Sequence, residues 1–331
     1  MKVIAIEEHY CPAEVSAAWR GLPADLQDPS QVVFDNDETN LRLQDFGELR
    51  LRHMDEMGID VQVISLTTPA TQVLNARQAV RLARLSNDMA AKAVAANPDR
   101  LQAFATLPTP DPREATRELE RCVGDLGMKG AMLTGRTRDQ PLDAPEFLPI
   151  FETAAKLRMP VYLHPQIPIK AVRDAYYTGF GDTLDAIFAA GGWGWHADAG
   201  VQALRLILSG LFDRLPDLQI ILGHWGEVVM LYLDRIGSAL DKGIKGRLDR
   251  SIEDYFKGNF YVTPSGIFSE RYLRNAVEVM GIERIMFSVD YPYQFVPGAR
   301  DFLTSAALSA EDRAKVAHGN WERLTKGQGL G

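Results

Sequence analysis

The sequence contains little cysteine and no long apolar run, and each shortage excludes a class of protein. Cys11 and Cys122 are the two cysteines in 331 residues, and they form no Cys-X-X-Cys motif. A disulfide framework is therefore not expected, and a reducing cytoplasm suits the chain. The N-terminus enters an apolar strand without the basic and apolar regions of a signal peptide. Because no apolar stretch approaches the length that spans a bilayer, we expect no membrane partner.

Clusters of Lys and Arg are also missing. The formal net charge is −8, so a nucleic acid is not expected as a partner. Hydrophobic residues make up 46% and charged residues 24%, which is ordinary for a soluble globular protein. We find no repeat of fixed period and no low-complexity tract. The length suits one large α/β barrel or two ordinary domains.

Short strand-like and helix-like segments alternate along the whole chain. Apolar runs predict strands at 2–7, 60–66, 101–106, 129–134, 160–164, 218–223, 259–263 and 284–289. A 3.6-residue period predicts helices at 76–97, 111–127, 146–158, 200–213, 226–241 and 268–280. Eight such units favour the α/β class and a (β/α)8 TIM barrel. An open doubly wound sheet is the second choice, since no GxGxxG motif follows the first strand.

Two connections are longer than a minimal βα loop. They are residues 10–40 after strand 1 and residues 165–200 after strand 5. Long loops on the catalytic face of a barrel usually cover the site, so Trp193 in the second loop is a candidate substrate contact. We see no domain boundary and expect a single barrel domain over residues 1–331.

Several predicted strands end in side chains of the types that bind metal ions. Glu7 and His9 lie two residues apart at the end of strand 1, so they point to the same face. His164 ends strand 5, and Asp290 ends the last strand. In a barrel these strand ends meet at one mouth. Two imidazoles and two carboxylates form a mixed nitrogen and oxygen set that suits Zn²⁺, Mn²⁺ or Fe²⁺.

A second constellation lies in the sequence Gly223-His224-Trp225-Gly226-Glu227. His224 is predicted to act as an acid/base whose tautomer Glu227 fixes, with direct metal ligation or a structural role as alternatives. After Asp290, Tyr293 offers a flat apolar wall that an aromatic substrate would need, although core packing explains it equally well.

The remaining histidines and one arginine carry weaker signals. His53 and His318 are predicted to lie on the surface. His196, which follows the Trp193-Gly194-Trp195 loop, is left open between pocket and surface. Arg235 lies about three helical turns after His224. It is either buried against a carboxylate or part of a surface salt bridge.

Taken together, these motifs extend over nearly the whole chain. They are Ile6-Glu7-Glu8-His9, Leu163-His164-Pro165, Ala203-Leu204-Arg205-Leu206, Ser209-Gly210-Leu211-Phe212, Gly223-His224-Trp225-Gly226-Glu227 and Phe287-Ser288-Val289-Asp290-Tyr291-Pro292. Their combination resembles the amidohydrolase superfamily, and within it the branch of non-oxidative aromatic acid decarboxylases of the gamma-resorcylate and 2,3-dihydroxybenzoate type. The opening Glu, in place of the HxH motif usual in the hydrolases of the superfamily, is typical of this branch.

The resemblance implies a role for each candidate residue. It implies one divalent metal, most commonly Mn²⁺ and next Zn²⁺, held by Glu7, His9, His164 and Asp290. The acid/base machinery would be His224 with Glu227. For the reaction itself we expect Asp290 to donate the proton to the ring carbon and His224 to take or shuttle the phenolic proton, with an exchange of these two roles as the alternative. Four further residues are substrate-binding candidates: Arg235, Tyr293, Thr134 and Trp193. Thr134 ends strand 4, where several relatives carry Asn.

The reaction that the resemblance implies is metal-dependent decarboxylation of an ortho-hydroxybenzoate to a phenol and CO2. The expected partner is therefore a small aromatic carboxylic acid, and by analogy the chain forms a homodimer or homotetramer. A metal-dependent hydrolase acting on a lactone or an amide is the alternative within the same fold. A catalytically inactive barrel that serves as a binding protein is the alternative outside enzymes.

Overall fold

A closed barrel of parallel strands forms the centre of the computed structural model, which describes residues 1–326 apart from the side chain of residue 32. The barrel strands are, in chain order, β1 (Ile4–Tyr10), β2 (Val61–Leu66), β3 (Leu101–Ala103, continued by Ala105–Thr106), β4 (Ala131–Thr134), β5 (Val161–His164), β6 (Ile220–Leu222) and β7 (Phe260–Val262). Each pairs in parallel with the next, and the segment 285–291 takes the eighth position.

Backbone hydrogen bonds close the barrel on both sides of this eighth segment. Toward β7, the Met286 N–H donates to the Val262 carbonyl over 3.0 Å. Toward β1, the Ile6 N–H donates to the Phe287 carbonyl over 3.1 Å. These bonds close the ring of parallel strands, as the predicted (β/α)8 barrel requires. Since the first and last strands pair, their carboxyl ends lie side by side at the mouth.

Helices surround the barrel and also occupy the two long connections. The α-helices are Ala13–Arg20, Gln31–Phe34, Asp37–Gln44, Glu48–Met57, Ala76–Ala96, Pro112–Gly124, Leu148–Lys156, Lys170–Tyr176, Asp182–Ala189, Gly194–Leu208, Leu211–Arg214, Leu233–Ile244, Ile252–Asn259, Glu270–Met280, Arg300–Ser305, Ala310–Ala314 and Asn320–Thr325. A short antiparallel pair, Arg136–Thr137 with Gln140–Pro141, follows β4. Among the described residues, no helix is both long and apolar enough to cross a membrane.

One predicted helix begins in the wrong place. The period predicts a helix over 226–241, but the regular helix begins only at Leu233. The residues before it form a tight turn in which Trp225, Glu227 and Val228 have positive φ angles, a conformation that an α-helix cannot contain. The turn directs the side chains that follow β6 into the barrel mouth rather than along a helix face.

Two apolar layers hold the barrel together. The larger layer packs between the strands and the surrounding helices. The smaller one fills the interior below the mouth, and it consists of Ile4, Ile6, Val61, Val63, Phe104, Met132, Tyr162, Ile221, Tyr261, Met286 and Trp321. A filled interior leaves the carboxyl ends of the strands as the place for a site.

A β-bulge in β1 decides which glutamate enters the mouth. Ile4 and Ile6 belong to the interior cluster, so regular alternation would place Glu8 inside as well. The register with β2 shifts between Ala5 and Glu8, and after this bulge Glu7 and His9 face the interior. Glu8 instead accepts hydrogen bonds from Gln62 and from the Val289 N–H.

The prediction that His53 lies on the surface is wrong. Its side chain is 8% exposed, and its Nδ1 lies 2.9 Å from the Tyr291 hydroxyl. The helix Glu48–Met57 packs this face against the segment after Asp290, which a local helical pattern does not reveal. His318, by contrast, is partly exposed and pairs with Glu322.

Candidate metal centre and active site

Three ends of strands bring four ligand-type side chains together at the barrel mouth. Glu7 and His9 come from β1, His164 from the end of β5, and Asp290 from the eighth segment. One ligand atom from each lies within 4.8 Å of all the others. Glu7 and His9 are fully buried, and the Asp290 side chain is 14% exposed. The structure therefore brings together the four residues that the sequence predicts as metal ligands.

His164 is held in the tautomer that a metal ligand needs. Its Nδ1 donates to the Pro165 carbonyl over 2.8 Å, so the lone pair lies on Nε2, 3.4 Å from Glu7 Oε1. Burial, reinforced by the charge of His9, lowers the pKa of His164 to about 3. The ring is therefore neutral at neutral pH, as coordination requires.

Glu7 has one satisfied and one unsatisfied oxygen. Tyr162 donates to Oε2 over 2.6 Å, and the Ser265 hydroxyl donates to the same oxygen. A Cβ on Gly223 would lie 2.7 Å from Ser265 Oγ and 3.0 Å from Glu7 Oε1, so only glycine fits beside this carboxylate. Burial raises the pKa of Glu7, because a buried carboxylate without a cation is costly.

The unsatisfied atoms at the centre fit a divalent cation. Among the described residues, the buried atoms Glu7 Oε1 and His9 Nε2 make no hydrogen bond of good geometry, although Nε2 lies 3.1 Å from Asp290 Oδ1. His9 Nδ1 lies 3.2 Å from the Ser65 hydroxyl, which leaves Nε2 directed at the cluster. Orphaned buried polar atoms are rare in proteins. A cation bound between these atoms would satisfy both, and it would offset the two carboxylate charges.

Asp290 combines an unusual backbone with a strong electrostatic environment. Its φ is +68°, which places the carboxylate at the mouth and is uncommon for a residue other than glycine. Burial alone would raise the pKa of Asp290, but the neighbouring imidazoles of His224 and His9 outweigh burial and lower it to about 2. Asp290 is thus a carboxylate at neutral pH.

His224 and Glu227 form the pair that the sequence predicts. His224 Nδ1 lies 2.7 Å from Glu227 Oε1, while Nε2 lies 3.8 Å from Asp290 Oδ2. Burial would lower the pKa of His224, but the Glu227 and Glu7 carboxylates raise it well above its ordinary value. Burial would likewise raise the pKa of Glu227, but its contacts with His224 and His196 lower it. Glu227 thus interacts with both imidazoles, and its contact with His224 favours a proton on Nδ1 of that ring.

His196 is the functional-site residue that the sequence left open. Its Nδ1 lies 2.8 Å from Glu227 Oε2, and its ring centre lies 4.5 Å from that of His224. The signal for His196 in the sequence is its place in the long connection after β5, which lies on the catalytic face of the barrel.

Aromatic rings stand beside the metal cluster. The Tyr293 ring centre lies 5.8 Å from that of His9, and the Trp195 ring centre lies 6.4 Å from that of His164. Phe34, from the connection after β1, stacks on Trp195 and meets Tyr293 edge to face. These contacts place flat apolar surfaces next to the ligands.

Trp195 lies where the sequence predicts Trp193. The helix Gly194–Leu208 begins between the two tryptophans, and residues two apart at the start of a helix point about 200° apart. Trp193 is 47% exposed, whereas Trp195 is 8% exposed and faces the mouth. The prediction for Trp193 is thereby corrected to Trp195.

Of the two other predicted substrate contacts, Thr134 is buried and Arg235 is exposed. Thr134 is buried at the end of β4, where its hydroxyl donates to the Pro69 carbonyl over 3.3 Å. The Gln72 side-chain amide donates to the Thr134 carbonyl and accepts from the Thr134 N–H. Arg235 is exposed on the helix Leu233–Ile244, so the structure does not place it among the buried groups of the mouth.

Comparison with known proteins decides the family of this barrel. The model of the Amidohydrolase family matches residues 35–324. The chain belongs to the amidohydrolase family. The resemblance drawn from its motifs is confirmed, and the matched region includes all of the strands after β1.

Several relatives of this amidohydrolase are decarboxylases. The gamma-resorcylate decarboxylase of Polaromonas sp. strain JS666 is 38% identical over 338 residues, which cover 98% of each chain. A crystal structure of dihydroxybenzoic acid decarboxylase from Polaromonas sp. JS666, with bound manganese and the inhibitor 2-nitroresorcinol, matches with a TM-score of 0.85 and 36% identity over 98% of this chain and 97% of that one. The 5-carboxyvanillate decarboxylase of Sphingomonas paucimobilis matches with a TM-score of 0.89 and 33% identity over 98% of this chain and 99% of that one.

Proposed function

We propose that this amidohydrolase is a metal-dependent, non-oxidative decarboxylase of ortho-hydroxybenzoates. The observation that carries the proposal is the buried cluster of Glu7, His9, His164 and Asp290, whose ligand atoms lie within 4.8 Å of one another. The similarity to decarboxylases over the full length of the chain supports the same reaction class.

The donor set suits Mn²⁺ first and Zn²⁺ next. Two imidazole nitrogens and two carboxylate oxygens are compatible with either ion, and a related structure contains manganese. Held by Glu7, His9, His164 and Asp290, a divalent ion would supply positive charge that lowers the pKa of a phenol and attracts an anionic substrate. Two carboxylate ligands reduce that charge more than neutral ligands would, so the site would be a milder Lewis acid. Such a site is less suited to generating hydroxide from water than to binding an anionic substrate.

The charges of Asp290 and His224 suggest how the proton moves. Because the pKa of Asp290 is about 2, this carboxylate must take a proton before it can give one. We propose that Asp290 receives the phenolic proton and delivers it to the ring carbon that bears the carboxylate. The bond to that carboxylate then breaks, CO2 leaves, and the ring regains aromaticity. His224, whose Nε2 lies 3.8 Å from Asp290 Oδ2, stabilises the negative charge during these steps or exchanges the proton with Asp290.

The aromatic ring of the substrate is proposed to lie between Tyr293 and Trp195, with Phe34 closing the outer side. Flat aromatic rings favour offset or edge-to-face contacts with a benzoate ring. Thr134 remains a proposed contact for a ring substituent, because its hydroxyl oxygen keeps an acceptor lone pair after donating to Pro69.

A substrate panel tests the proposed reaction. Purified enzyme with measured manganese content is expected to release CO2 from 2,6-dihydroxybenzoate or salicylate. It should leave the matched compound 3,5-dihydroxybenzoate unchanged, because that acid lacks an ortho hydroxyl. CO2 and phenol are measured in the same samples. Equal rates with and without the ortho hydroxyl would refute the mechanism.

The hydrolase alternative makes the opposite prediction for a lactone panel. A hydrolase would open a lactone or amide with consumption of water and release no CO2. The similarity to decarboxylases favours the lyase over this alternative. If the enzyme hydrolyses a lactone faster than it decarboxylates any benzoate in the panel, the hydrolase would replace the decarboxylase as the proposed function.

We propose that the chain assembles as a homodimer or homotetramer, and that any role of Arg235 in binding substrate requires a second copy. Arg235 is exposed in its own chain, and Leu231 and Tyr232 beside it are 49% and 62% exposed. Exposed apolar side chains of this size are typical of interaction surfaces. Sedimentation velocity is expected to show a dimer or larger, and Arg235→Glu should shift it toward monomer. A monomeric enzyme of full activity would refute this proposal.

We further propose that the described chain is one folding unit and works in the cytoplasm. Strand β1 pairs with the last strand of the barrel, so no cut divides the sheet into two sequential domains. Cys11 and Cys122 are buried and unpaired, which suits a reducing compartment. A single cooperative unfolding transition and recovery of activity in the cytoplasmic fraction would support these two statements.

A further inference from the structure

The imidazole ring of His196 makes two hydrogen bonds, and both partners are acceptors. Nδ1 lies 2.8 Å from Glu227 Oε2, and Nε2 lies 3.1 Å from the Gly191 carbonyl oxygen. A neutral imidazole carries one N–H and can donate only one of these bonds. Of the two bonds, the one to the Glu227 carboxylate is the stronger, because its acceptor carries a charge.

Glu227 divides its two oxygens between two histidines. Oε1 faces Nδ1 of His224 at 2.7 Å, and Oε2 faces Nδ1 of His196 at 2.8 Å. The Glu227 side chain is fully buried, while that of His196 is 15% exposed. A buried carboxylate is stable only when paired and hydrogen-bonded. The two imidazoles supply both conditions, one from the mouth of the barrel and one from its rim.

The helix that carries His196 is built to come close to Glu227. Gly200 lies four residues after His196, on the same face of the helix Gly194–Leu208. A Cβ at Gly200 would lie 2.7 Å from the Glu227 carbonyl oxygen, so only glycine permits this packing. The close approach brings His196, one turn earlier, within hydrogen-bond distance of the Glu227 side chain.

We infer that His196 is a positioning residue that holds the Glu227 carboxylate ionised and aimed at Nδ1 of His224. His224 then keeps its Nδ1 proton and presents Nε2 to Asp290 and the substrate. His196 touches neither substrate nor metal in this arrangement. The inference rests on the proposed function for its kinetic consequence, but not for the hydrogen bonding itself.

Two substitutions separate the two bonds of His196. In His196→Asn the amide nitrogen can take the place of Nδ1 and still donate to Glu227. In His196→Gln it takes the place of Nε2, so the bond to Gly191 stays and the bond to Glu227 is lost. Loss of an outer partner of a catalytic group typically costs ~10–100-fold. His196→Gln is expected to lower kcat by that factor with KM and manganese content unchanged, and His196→Asn should restore most of the loss.

A double-mutant cycle distinguishes positioning from a general structural role. If His196 acts through His224, adding His196→Gln to His224→Gln should change kcat by less than about twofold, because the two losses are coupled. If His196→Gln lowers kcat by the same factor in the wild-type enzyme and in His224→Gln, the inference is overturned. A wild-type kcat in the single variant His196→Gln would also overturn it.

A measurement without substrate keeps the inference testable even if no decarboxylation occurs. The chain has six histidines, so the ¹⁵N spectrum of the histidine-labelled, zinc-loaded protein is simple. The Nδ1 of His196 is expected at the position of a protonated nitrogen. The His224 signals should move in His196→Gln and stay in His318→Gln. A His196 Nδ1 without a proton would overturn the inference, whereas absence of CO2 release with these spectra intact would count against the proposed function alone.

Discussion

Replacing Glu7 with Gln is expected to abolish stoichiometric manganese binding and to lower kcat/KM by about 10³-fold or more, since a catalytic metal contributes several kcal/mol to transition-state stabilisation. Glu7 Oε1 is one of the two orphaned atoms at the centre, and an amide supplies neither its charge nor a strong ligand. The Oε2 partners Tyr162 and Ser265 remain in place, so the fold is expected to persist. Metal analysis after dialysis and decarboxylation rates on the same sample provide the measurement.

The neighbouring substitution Glu8→Gln is the matched control. Glu8 faces away from the mouth, where it accepts hydrogen bonds from Gln62 and the Val289 N–H. Burial raises the pKa of Glu8 well above its ordinary value, so loss of a negative charge matters less there. We expect Glu8→Gln to bind manganese normally but to lose about 1–3 kcal/mol of unfolding free energy through disturbed buried hydrogen bonds. Manganese loss in Glu8→Gln with retention in Glu7→Gln would reverse the assignment of faces in β1.

Replacing His224 with Gln is expected to lower kcat by ~10²–10⁴-fold, the usual contribution of a general acid or base. His224 lies between the Glu227 carboxylate and the Asp290 carboxylate, with Nδ1 at 2.7 Å from the first and Nε2 at 3.8 Å from the second. Without the imidazole, Asp290 loses the group that stabilises its negative charge or exchanges a proton with it. Steady-state rates at saturating substrate measure the effect, and bound manganese should stay near one equivalent.

His318→Gln is the control for the loss of a histidine. His318 lies near the C-terminal end of the chain and is partly exposed. Its Nδ1 lies 3.1 Å from Glu322 Oε2. Its variant is expected to keep wild-type kcat and KM. An unchanged rate in His224→Gln would end the assignment of His224 to the acid/base step.

The fold could be predicted from local sequence because barrel strands are buried on both faces. Six of the eight predicted strands appear in the structure within about two residues, since a short apolar run bounded by polar residues has few other buried arrangements. The first strand runs three residues further, to Tyr10, and the segment predicted at 284–289 pairs with its neighbours only through isolated bridges and single hydrogen bonds. The helix predicted at 226–241 was wrong at its start, because positive φ angles at Trp225, Glu227 and Val228 depend on packing beneath the turn. Apolar periodicity carries no information about such angles.

The ligand set could be predicted because chemistry and topology agree. Glu7, His9, His164 and Asp290 are metal-binding types, and each ends a strand of a fold that gathers strand ends at one mouth. The supporting groups could not be predicted. Tyr162 and Ser265 hold Glu7, and they lie 155 and 258 residues from it along the chain.

The sequence by itself determined the barrel, its family and the kinds of side chain at its mouth, because these follow from local apolar runs and from motifs. Only the tertiary structure decided which of several adjacent residues enters the site. The β-bulge turns Glu7 rather than Glu8 inward, and the start of the helix at Gly194 turns Trp195 rather than Trp193. The close approach at Gly200 brings His196 to Glu227. The direction of a side chain changes with a shift of one residue in register, and long-range packing sets that register.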